Sequence, residues 1–583
     1  MTRLFKRQQK TLMSKKFFSM LLGGTLAMMM ASVLLMSDSI VAAAIIGSEA
    51  VAGITLVTPI YSVATFFSAF FSMGVPLVYN AEMGKYNKTE ADRAFGTGLL
   101  ACLVVGVVLF VLVTAFGDAY LRSSDPPAHI LAEARGYLFW LRFAILIMPV
   151  QTLMSAVVYC DGDEALTTLA TAVQCLGNIA ASVLLCRRIG IRGIGLASFL
   201  FFVISLGIML IHFFKKSNSI RWNLYFSAKL LSRVMRFSMI DASAHLFLGL
   251  MTAALNAFVS ARFGADCLIL VSAMVLCQEL QIMFDGIGGA TTPILSIYLG
   301  EECHSGVRSI YRLANKTAVI EGIVITVALF ICAPLVPRIL DITDPEMARC
   351  AAAGIRILSL GSVFVSLLYL LSSYYLVSEK ISLGVAVCAL RDLLPAVPLA
   401  IALGWFFGLG GIFIGLAAAP AIGWGLLMLW LIRRYGRADC PLLLSTLPCT
   451  AKSYLYDLSV EPEQVVDLQS KVRALLRENG VDGRTTNRVE LLIEEIFMLI
   501  HEMNGGRVIL GECAILLRSD SVQLITRDDG EIFDIADENM NVTSLSAFVL
   551  ASYMEKLVQD RRHLTTLSFN RSSFLIKAGE KLS

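Results

Sequence analysis

The sequence predicts an α-helical polytopic membrane protein of about twelve spans in two six-helix repeats, followed by a small α+β cytoplasmic domain. Of its 583 residues, 57% are hydrophobic and 16% are charged. The mean hydropathy of +0.73 excludes an ordinary soluble globular protein. A bilayer-crossing helix needs about 20 apolar residues, and such runs recur from Phe17 to Leu431. Beyond Leu431 the composition becomes mixed and charged, which is typical of a soluble domain.

The predicted spans are apolar stretches that are bounded by clusters of glycine, proline and charged residues. An N-terminal apolar run that continues directly into further spans favours a first membrane helix over a cleaved signal peptide. We predict spans at residues 17–46, 51–79, 95–117, 136–160, 166–187, 191–214, 237–262, 267–298, 317–340, 353–377, 382–407 and 410–432.

Loop charges orient these spans, because basic loops favour the cytoplasmic side. With a cytoplasmic N-terminus, most basic loop residues lie inside, and the loop with Arg187, Arg188 and Arg192 is the exception. An even number of spans returns the C-terminus to the cytoplasm. The 13 cysteines form no C-x-x-C pair, and the net charge of +3 is too balanced to suggest a nucleic-acid partner.

The membrane region repeats itself at an offset of about 216 residues. The segment from Gly47 resembles the one from Gly264, and the segment ending at Gly84 resembles the one ending at Gly300. Two halves with the same orientation suit rocking of two bundles around a central cavity. The predicted organisation is a basic cytoplasmic N-terminus (1–16), a first six-helix bundle (17–214), a basic linker (215–236), a second bundle (237–432), a linker (433–453) and a cytoplasmic domain (454–583).

The first half carries a set of motifs in a characteristic order. An Asp in the first span, Asp38, is followed by Gly47, then by a Pro59-Ile60 pair, and by a Gly-Lys loop at Gly84 after the second span. Over about residues 15–435 the chain resembles the multidrug and toxic compound extrusion (MATE) family of secondary transporters.

The resemblance implies that Asp38 couples transport to a cation or a proton. A carboxylate inside a span is costly and usually faces a cavity or a proton path. In the family this Asp works with an Asn and a second Asp in the fifth span. Asn178 matches the first of these, whereas Ser182 occupies the second place. One charged ligand is therefore missing, which favours a proton or a weaker sodium site. The alternative is a merely structural Asp38.

The second half offers further polar candidates inside its predicted spans, namely Asp241, Asp285, Glu321 and Arg391. Asp241 lies four residues before His245, so both share one helical face. We expect some of these side chains to line a polar interior. We also expect Arg391 to pair with Asp285 or Glu321, as structural neutralisation rather than in a transport role.

The C-terminal segment predicts two helices followed by strands. It contains an acidic helix with Glu495, followed by Asp528 and Gly530 at the end of a strand. In these features it resembles the ATP-binding (GHKL) fold shared by histidine kinases and anti-sigma-factor kinases. The resemblance implies that Asp528 would contact adenine. However, the family's magnesium-binding Asn is replaced by Leu499, and residues 539–546 replace the Gly-rich lid. We therefore expect a degenerate domain with no kinase activity, no resident cofactor and no ATP binding.

These features together predict a proton- or sodium-coupled secondary transporter that exports small molecules by alternating access. The prediction places it in the cell membrane, with no enzyme activity. The cytoplasmic domain would regulate transport or bind a cytoplasmic protein. Two alternatives stay open: a flippase for lipid-linked precursors, which would need a basic cavity, and a membrane sensor that signals through the C-terminal domain.

Overall fold

The computed structural model describes residues 11–577 apart from gaps. The gaps are residues 73, 85–86, 124–126, 162, 216–217, 219, 265–266, 341, 343, 438, 448–450, 506, 534–549, 551–557 and 565–568. The chain divides into two compact units. The bundle unit comprises residues 23–288 and 317–431, and the tail unit comprises residues 1–22, 289–316 and 432–583.

The first half of the membrane region consists of long apolar helices joined by short loops. Pro59 lies inside the helix Ser48–Ser72, and Pro149 lies inside the helix Ala128–Cys160. The helices are α1 (Leu12–Ile45), α2 (Ser48–Ser72), α3 (Gly74–Gly84), α4 (Lys88–Ser123), α5 (Ala128–Cys160), α6 (Glu164–Ile189) and α7 (Ile191–Leu210).

In the second half several predicted spans are broken into two helices. A 3-10 turn at Ile282–Phe284 interrupts the eighth span, and the helices Pro345–Ser359 and Ser362–Val377 meet at an angle of 49°. The helices are α8 (Ala228–Phe263), α9 (Leu268–Gln281), α10 (Asp285–Gly300), α11 (His304–Cys332), α12 (Leu335–Ile339), α13 (Pro345–Ser359), α14 (Ser362–Val377), α15 (Ile381–Asp392), α16 (Ala396–Phe407) and α17 (Leu409–Tyr435).

Each of the twelve predicted spans lies on one of these helices or on a broken pair. Among the described residues, ten helices are long and apolar enough to cross a bilayer, or eleven if the bent pair counts as one. The polytopic helical fold is thus confirmed, with fewer uninterrupted spans than the predicted twelve. Side chains such as Tyr137, Ile145 and Ile194 pack the interior of the first half, and Phe284, Ile355 and Phe413 that of the second.

The C-terminal part of the tail unit is a five-stranded sheet with two helices. The strands follow the order β1-β2-β3-β5-β4, and every neighbouring pair is antiparallel. The elements are β1 (Lys452–Ser459), α18 (Pro462–Glu478), α19 (Gly483–Met503), β2 (Leu510–Leu517), β3 (Ser521–Asp528), β4 (Val558–Leu564) and β5 (Phe569–Lys577).

Helical periodicity accounts for the packing of the first of these helices. Its buried positions Val465, Leu468, Val472 and Leu476 are three or four residues apart, so they form one apolar stripe. Helix α19 begins at an N-cap, where the side chain of Asp482 accepts a hydrogen bond from the backbone N–H of Thr485. Both helices pack on the core of the sheet.

Candidate functional site

The carboxylate of Asp38 lies inside the first half of the bundle unit. Its Oδ2 accepts hydrogen bonds from the Tyr137 hydroxyl at 2.7 Å and from Ser198 Oγ at 3.0 Å. Its Oδ1 is buried and has no hydrogen-bond partner among the described residues. A buried carboxylate oxygen without a donor is costly, so Asp38 is suited to take up a proton or to ligate a cation.

Asn178 on helix α6 joins the same network. Its Nδ2 donates to Ser198 Oγ at 3.1 Å, while Ser182 Oγ lies 3.4 Å from Asn178 Oδ1 and donates to it. Asp38 and Asn178 are therefore linked through one hydroxyl, and Asn178, Ser182 and Ser198 are buried. The structure brings together the two residues that the sequence singled out.

Sequence reasoning missed Tyr137 and Ser198, the two direct partners of Asp38. Each is a hydroxyl-bearing residue within a mainly apolar part of its helix, and such residues are common in membrane proteins. Only the packing of helices α5 and α7 beside α1 distinguishes these two from other hydroxyl-bearing residues.

A cavity of about 120 Å³ lies in the second half of the bundle unit. Asp241, His245, Asp285 and Arg391 line it, together with Tyr369. The expected polar interior therefore holds three of the four predicted second-half residues. Glu321 is not among the lining residues, and neither of its carboxylate oxygens has a hydrogen-bond partner within the described part of the chain.

The predicted partners of Arg391 are wrong. Its Nε and Nη2 donate to the two carboxylate oxygens of the adjacent Asp392, at 2.8 and 2.7 Å. Its guanidinium carbon also lies 3.7 Å from the centre of the Tyr369 ring. A bidentate pair with a neighbouring carboxylate satisfies the guanidinium locally, so no acid on another helix is required. Asp241 and Asp285 thus remain as carboxylates of the cavity outside this pair.

In the tail unit, Asp528 is fully buried at the end of β3. Its Oδ1 accepts hydrogen bonds from Asn570 Nδ2 at 2.9 Å and from the Gly530 backbone N–H at 3.1 Å. A side-chain carbon added at Gly530 would lie 2.5 Å from the amide of Asn504, so this glycine packs against protein. Glu495 is half-buried on α19, and the lid segment 539–546 lies outside the described residues.

These contacts support the expectation that the tail does not bind ATP. An adenine amino group would have to displace the internal hydrogen-bond donors of Asp528. The loss of each hydrogen bond to a buried carboxylate costs about 1–3 kcal/mol. We predict that isothermal titration of the full-length protein with ATP and magnesium shows no micromolar affinity. Micromolar binding that Asp528→Ala abolishes, and that Asp520→Ala leaves intact, would contradict this interpretation.

A buried ion cluster, which the sequence did not reveal, connects the sheet of the tail unit to the loop after α10. We call it the Arg527 cluster, and it consists of Arg527, Glu512, Glu301, Tyr298 and Arg571. Arg527 has no exposed side-chain area and forms ion pairs with both Glu512 and Glu301. Arg571 Nε donates to Glu301 at 2.6 Å, and the Tyr298 hydroxyl donates to Glu512 at 2.6 Å. Burial raises the pKa of Glu512, and the positive charge of Arg527 opposes that effect.

Two further contacts lie in the same unit. Lys15 Nζ, near the start of α1, is 2.8 Å from Asp529 Oδ2. The Ser305 backbone N–H, at the start of α11, donates to Ser453 Oγ on β1 at 2.9 Å. The C-terminal sheet thus contacts the beginnings or ends of helices α1, α10 and α11.

The fold is similar to that of known transporters. Residues 25–184 match the family model MatE. A structure described as the outward-facing conformation of a multidrug resistance MATE family transporter of the MOP superfamily shares 18% identity at a TM-score of 0.66, over 73% of this chain and 96% of the other. The inward-facing conformation of such a transporter gives 18% identity and a TM-score of 0.60, over 71% and 96%.

A MOP superfamily transporter from Pyrococcus furiosus, described as having a binding pocket of reverse polarity, shares 17% identity at a TM-score of 0.64, over 74% of this chain and 98% of the other. No curated protein sequence matches the chain. At these identities the structural likeness establishes the fold, namely that of the MATE transporters over the membrane region.

Proposed function

We propose that this protein is a MATE-type secondary transporter that exports small molecules and couples their export to a proton or a sodium ion. The Asp38 network carries this proposal. Asp38 has one oxygen held by neutral donors and one buried oxygen without a partner among the described residues. Binding of a cation or a proton there would rearrange the donors from Tyr137 and Ser198. Because these residues lie on helices α1, α5 and α7, the rearrangement would shift these helices relative to one another.

Proton coupling is the simpler form of this proposal. A protonated carboxyl needs only one acceptor nearby, whereas sodium needs several oxygen ligands. The hydroxyls of Tyr137 and Ser198 and the amide of Asn178 are neutral oxygen ligands. Ser182 supplies a hydroxyl where a second carboxylate would strengthen a sodium site. A site with one charged ligand would therefore bind sodium weakly.

Substrates of this transporter would be cationic or zwitterionic. In the second-half cavity the charge of Arg391 is matched by Asp392. Asp241 and Asp285 then give the cavity a negative balance when they are ionised, with His245 beside them. A lipid-linked pyrophosphate would need free cations instead, and Arg391 is already engaged. The cavity therefore favours export of small molecules over the flippase alternative.

Transport into vesicles tests the assignment. Purified protein in proteoliposomes should accumulate a fluorescent organic cation when an outward-directed proton or sodium gradient is imposed. Collapse of that gradient by an ionophore should abolish accumulation, because no other energy source is present. Binding of the cation without gradient-driven flux would contradict the transporter assignment and would favour the sensor alternative.

We further propose that the C-terminal sheet regulates transport from the cytoplasmic side. It contacts Lys15 on α1, the helix that carries Asp38, and Glu301 directly after α10, the helix that begins at the cavity residue Asp285. A domain attached to both helices would restrain any motion that separates their contacted ends. Release of these contacts would then accelerate the transport cycle.

Truncation tests this regulatory role. A chain ending at Arg437 should still insert into the membrane, because all predicted spans precede that residue. It should transport several-fold faster than the full-length protein in the same proteoliposomes. Loss of insertion would contradict the proposed domain boundary. Unchanged or slower transport by well-inserted protein would contradict the proposal that the C-terminal sheet restrains the transport cycle.

A further inference from the structure

A groove lined by basic side chains lies at the start of helix α11, beside the contact of Ser305 with Ser453 and apart from the Asp38 network and the second-half cavity. Ser305, Arg308, Ser309, Arg312, Leu313 and Lys316 line it, and its volume is about 440 Å³. The three cations follow one another at four-residue intervals, so they project from neighbouring positions on one side of the helix. All three side chains are exposed.

The charge of this groove is not neutralised within the described part of the chain. No ion pair or hydrogen bond engages Arg308, Arg312 or Lys316 there, whereas the nearby Glu301 is bound to Arg527 and Arg571. Like charges four residues apart on a helix repel one another. The groove therefore suits an external anion that several cations and the two serine hydroxyls contact together.

The position of the groove on helix α11 indicates the kind of anion. The apolar, membrane-spanning part of the helix follows directly after Lys316. At 3.6 residues per turn, Ile320, Ile323 and Val327 lie on the same side of the helix as the cations. These three side chains are 42%, 51% and 52% exposed, as expected for contact with acyl chains.

We propose that this groove binds the phosphate headgroup of an anionic phospholipid, whose acyl chains lie along the exposed apolar side of helix α11. Basic residues directly beside a span attract anionic lipids at the membrane surface, by about 1 kcal/mol for each cation. A free phosphate would share the headgroup chemistry but would gain nothing from the apolar side chains. The lipid is therefore the ligand that matches both parts of the helix.

Lipid retention and thermal stability test the proposal on delipidated, full-length protein in a neutral detergent. Phosphatidylglycerol should raise the melting temperature and should remain bound in native mass spectra. Phosphatidylcholine and inorganic phosphate at the same concentration should do neither. The triple variant Arg308→Gln, Arg312→Gln, Lys316→Gln should weaken binding of phosphatidylglycerol by at least about tenfold, given the contribution of each cation.

Two control variants make the result specific. The variant Arg187→Gln, Arg188→Gln, Arg192→Gln removes three exposed cations where helices α6 and α7 meet and should retain wild-type lipid binding. The variant Arg308→Lys, Arg312→Lys keeps the charge and should bind nearly as the wild type, even if the glutamine variant folds poorly. Equal binding by the glutamine and wild-type proteins would overturn the proposal. Equal stabilisation by inorganic phosphate would also overturn it and would indicate a free-anion site.

Discussion

Asp38→Asn should abolish gradient-driven export in proteoliposomes while the protein remains folded. The asparagine keeps the size of the side chain and an oxygen that can accept hydrogen bonds from Tyr137 and Ser198. It removes the group that can take up a proton or balance the charge of a cation. We expect transport to fall by at least about a hundredfold, to the level of protein-free vesicles.

Stability separates this role from a structural one. Loss of one partner in a buried polar network commonly costs about 1–3 kcal/mol. A structural Asp38 would therefore give a lower melting temperature, and the surviving protein would still transport. Normal gradient-driven export by Asp38→Asn would contradict the coupling assignment and would direct attention to Asp241 and Asp285.

Matched variants define what the network contributes. Asp118→Asn changes an exposed carboxylate that pairs with Arg122 and Arg135, so it should leave transport unchanged. Ser198→Ala removes the hydroxyl that links Asp38 to Asn178. It should shift the ion concentration or pH at half-maximal transport without eliminating transport, because Asp38 itself remains.

Arg527→Met should unfold the C-terminal sheet or detach it from the loop after α10. The substitution leaves Glu512 and Glu301 without the cation between them, and both are almost fully buried. Removal of one member of a buried ion pair typically costs about 3–5 kcal/mol. Thermal unfolding followed by limited proteolysis of the full-length protein should show early loss of the tail while the bundle survives.

Controls distinguish burial of the charge from a general effect of arginine loss. Arg518→Met removes a partly exposed arginine 3.6 Å from Glu302, and should change stability by about 0–1 kcal/mol. The combined variant Arg527→Met, Glu512→Leu, Glu301→Leu replaces the buried arginine and its two carboxylate partners with apolar groups and should regain much of the lost stability. If Arg527→Met resists proteolysis as well as the wild-type protein does, the Arg527 cluster does not hold the tail in place.

The cluster also bears on regulation. Because Glu301 directly follows the helix that begins at Asp285, Arg527→Met should mimic truncation of the tail in transport assays. Its transport rate should therefore rise toward that of the chain ending at Arg437. An unchanged rate in a variant whose tail has been released would argue against the proposed restraint.

The amino-acid sequence by itself determined the membrane class, the position of every predicted span on a helix or broken pair, and the α+β nature of the tail. Hydropathy and helical periodicity are local properties, so they can be recognised without knowledge of which segments meet. Acids inside spans, such as Asp38 and Asp285, were also recognisable, because a charge in an apolar run is costly wherever it packs.

Tertiary structure alone decided the partners of those acids. Tyr137 and Ser198 lie 99 and 160 residues from Asp38, and hydroxyls in apolar helices give no sign of which neighbour they will meet. The pairing of Arg391 with the adjacent Asp392 depends on side-chain geometry, which cannot be inferred from the positions of charges in the sequence. The Arg527 cluster joins residues more than 200 positions apart, so its burial and charge balance exist only once the chain is folded.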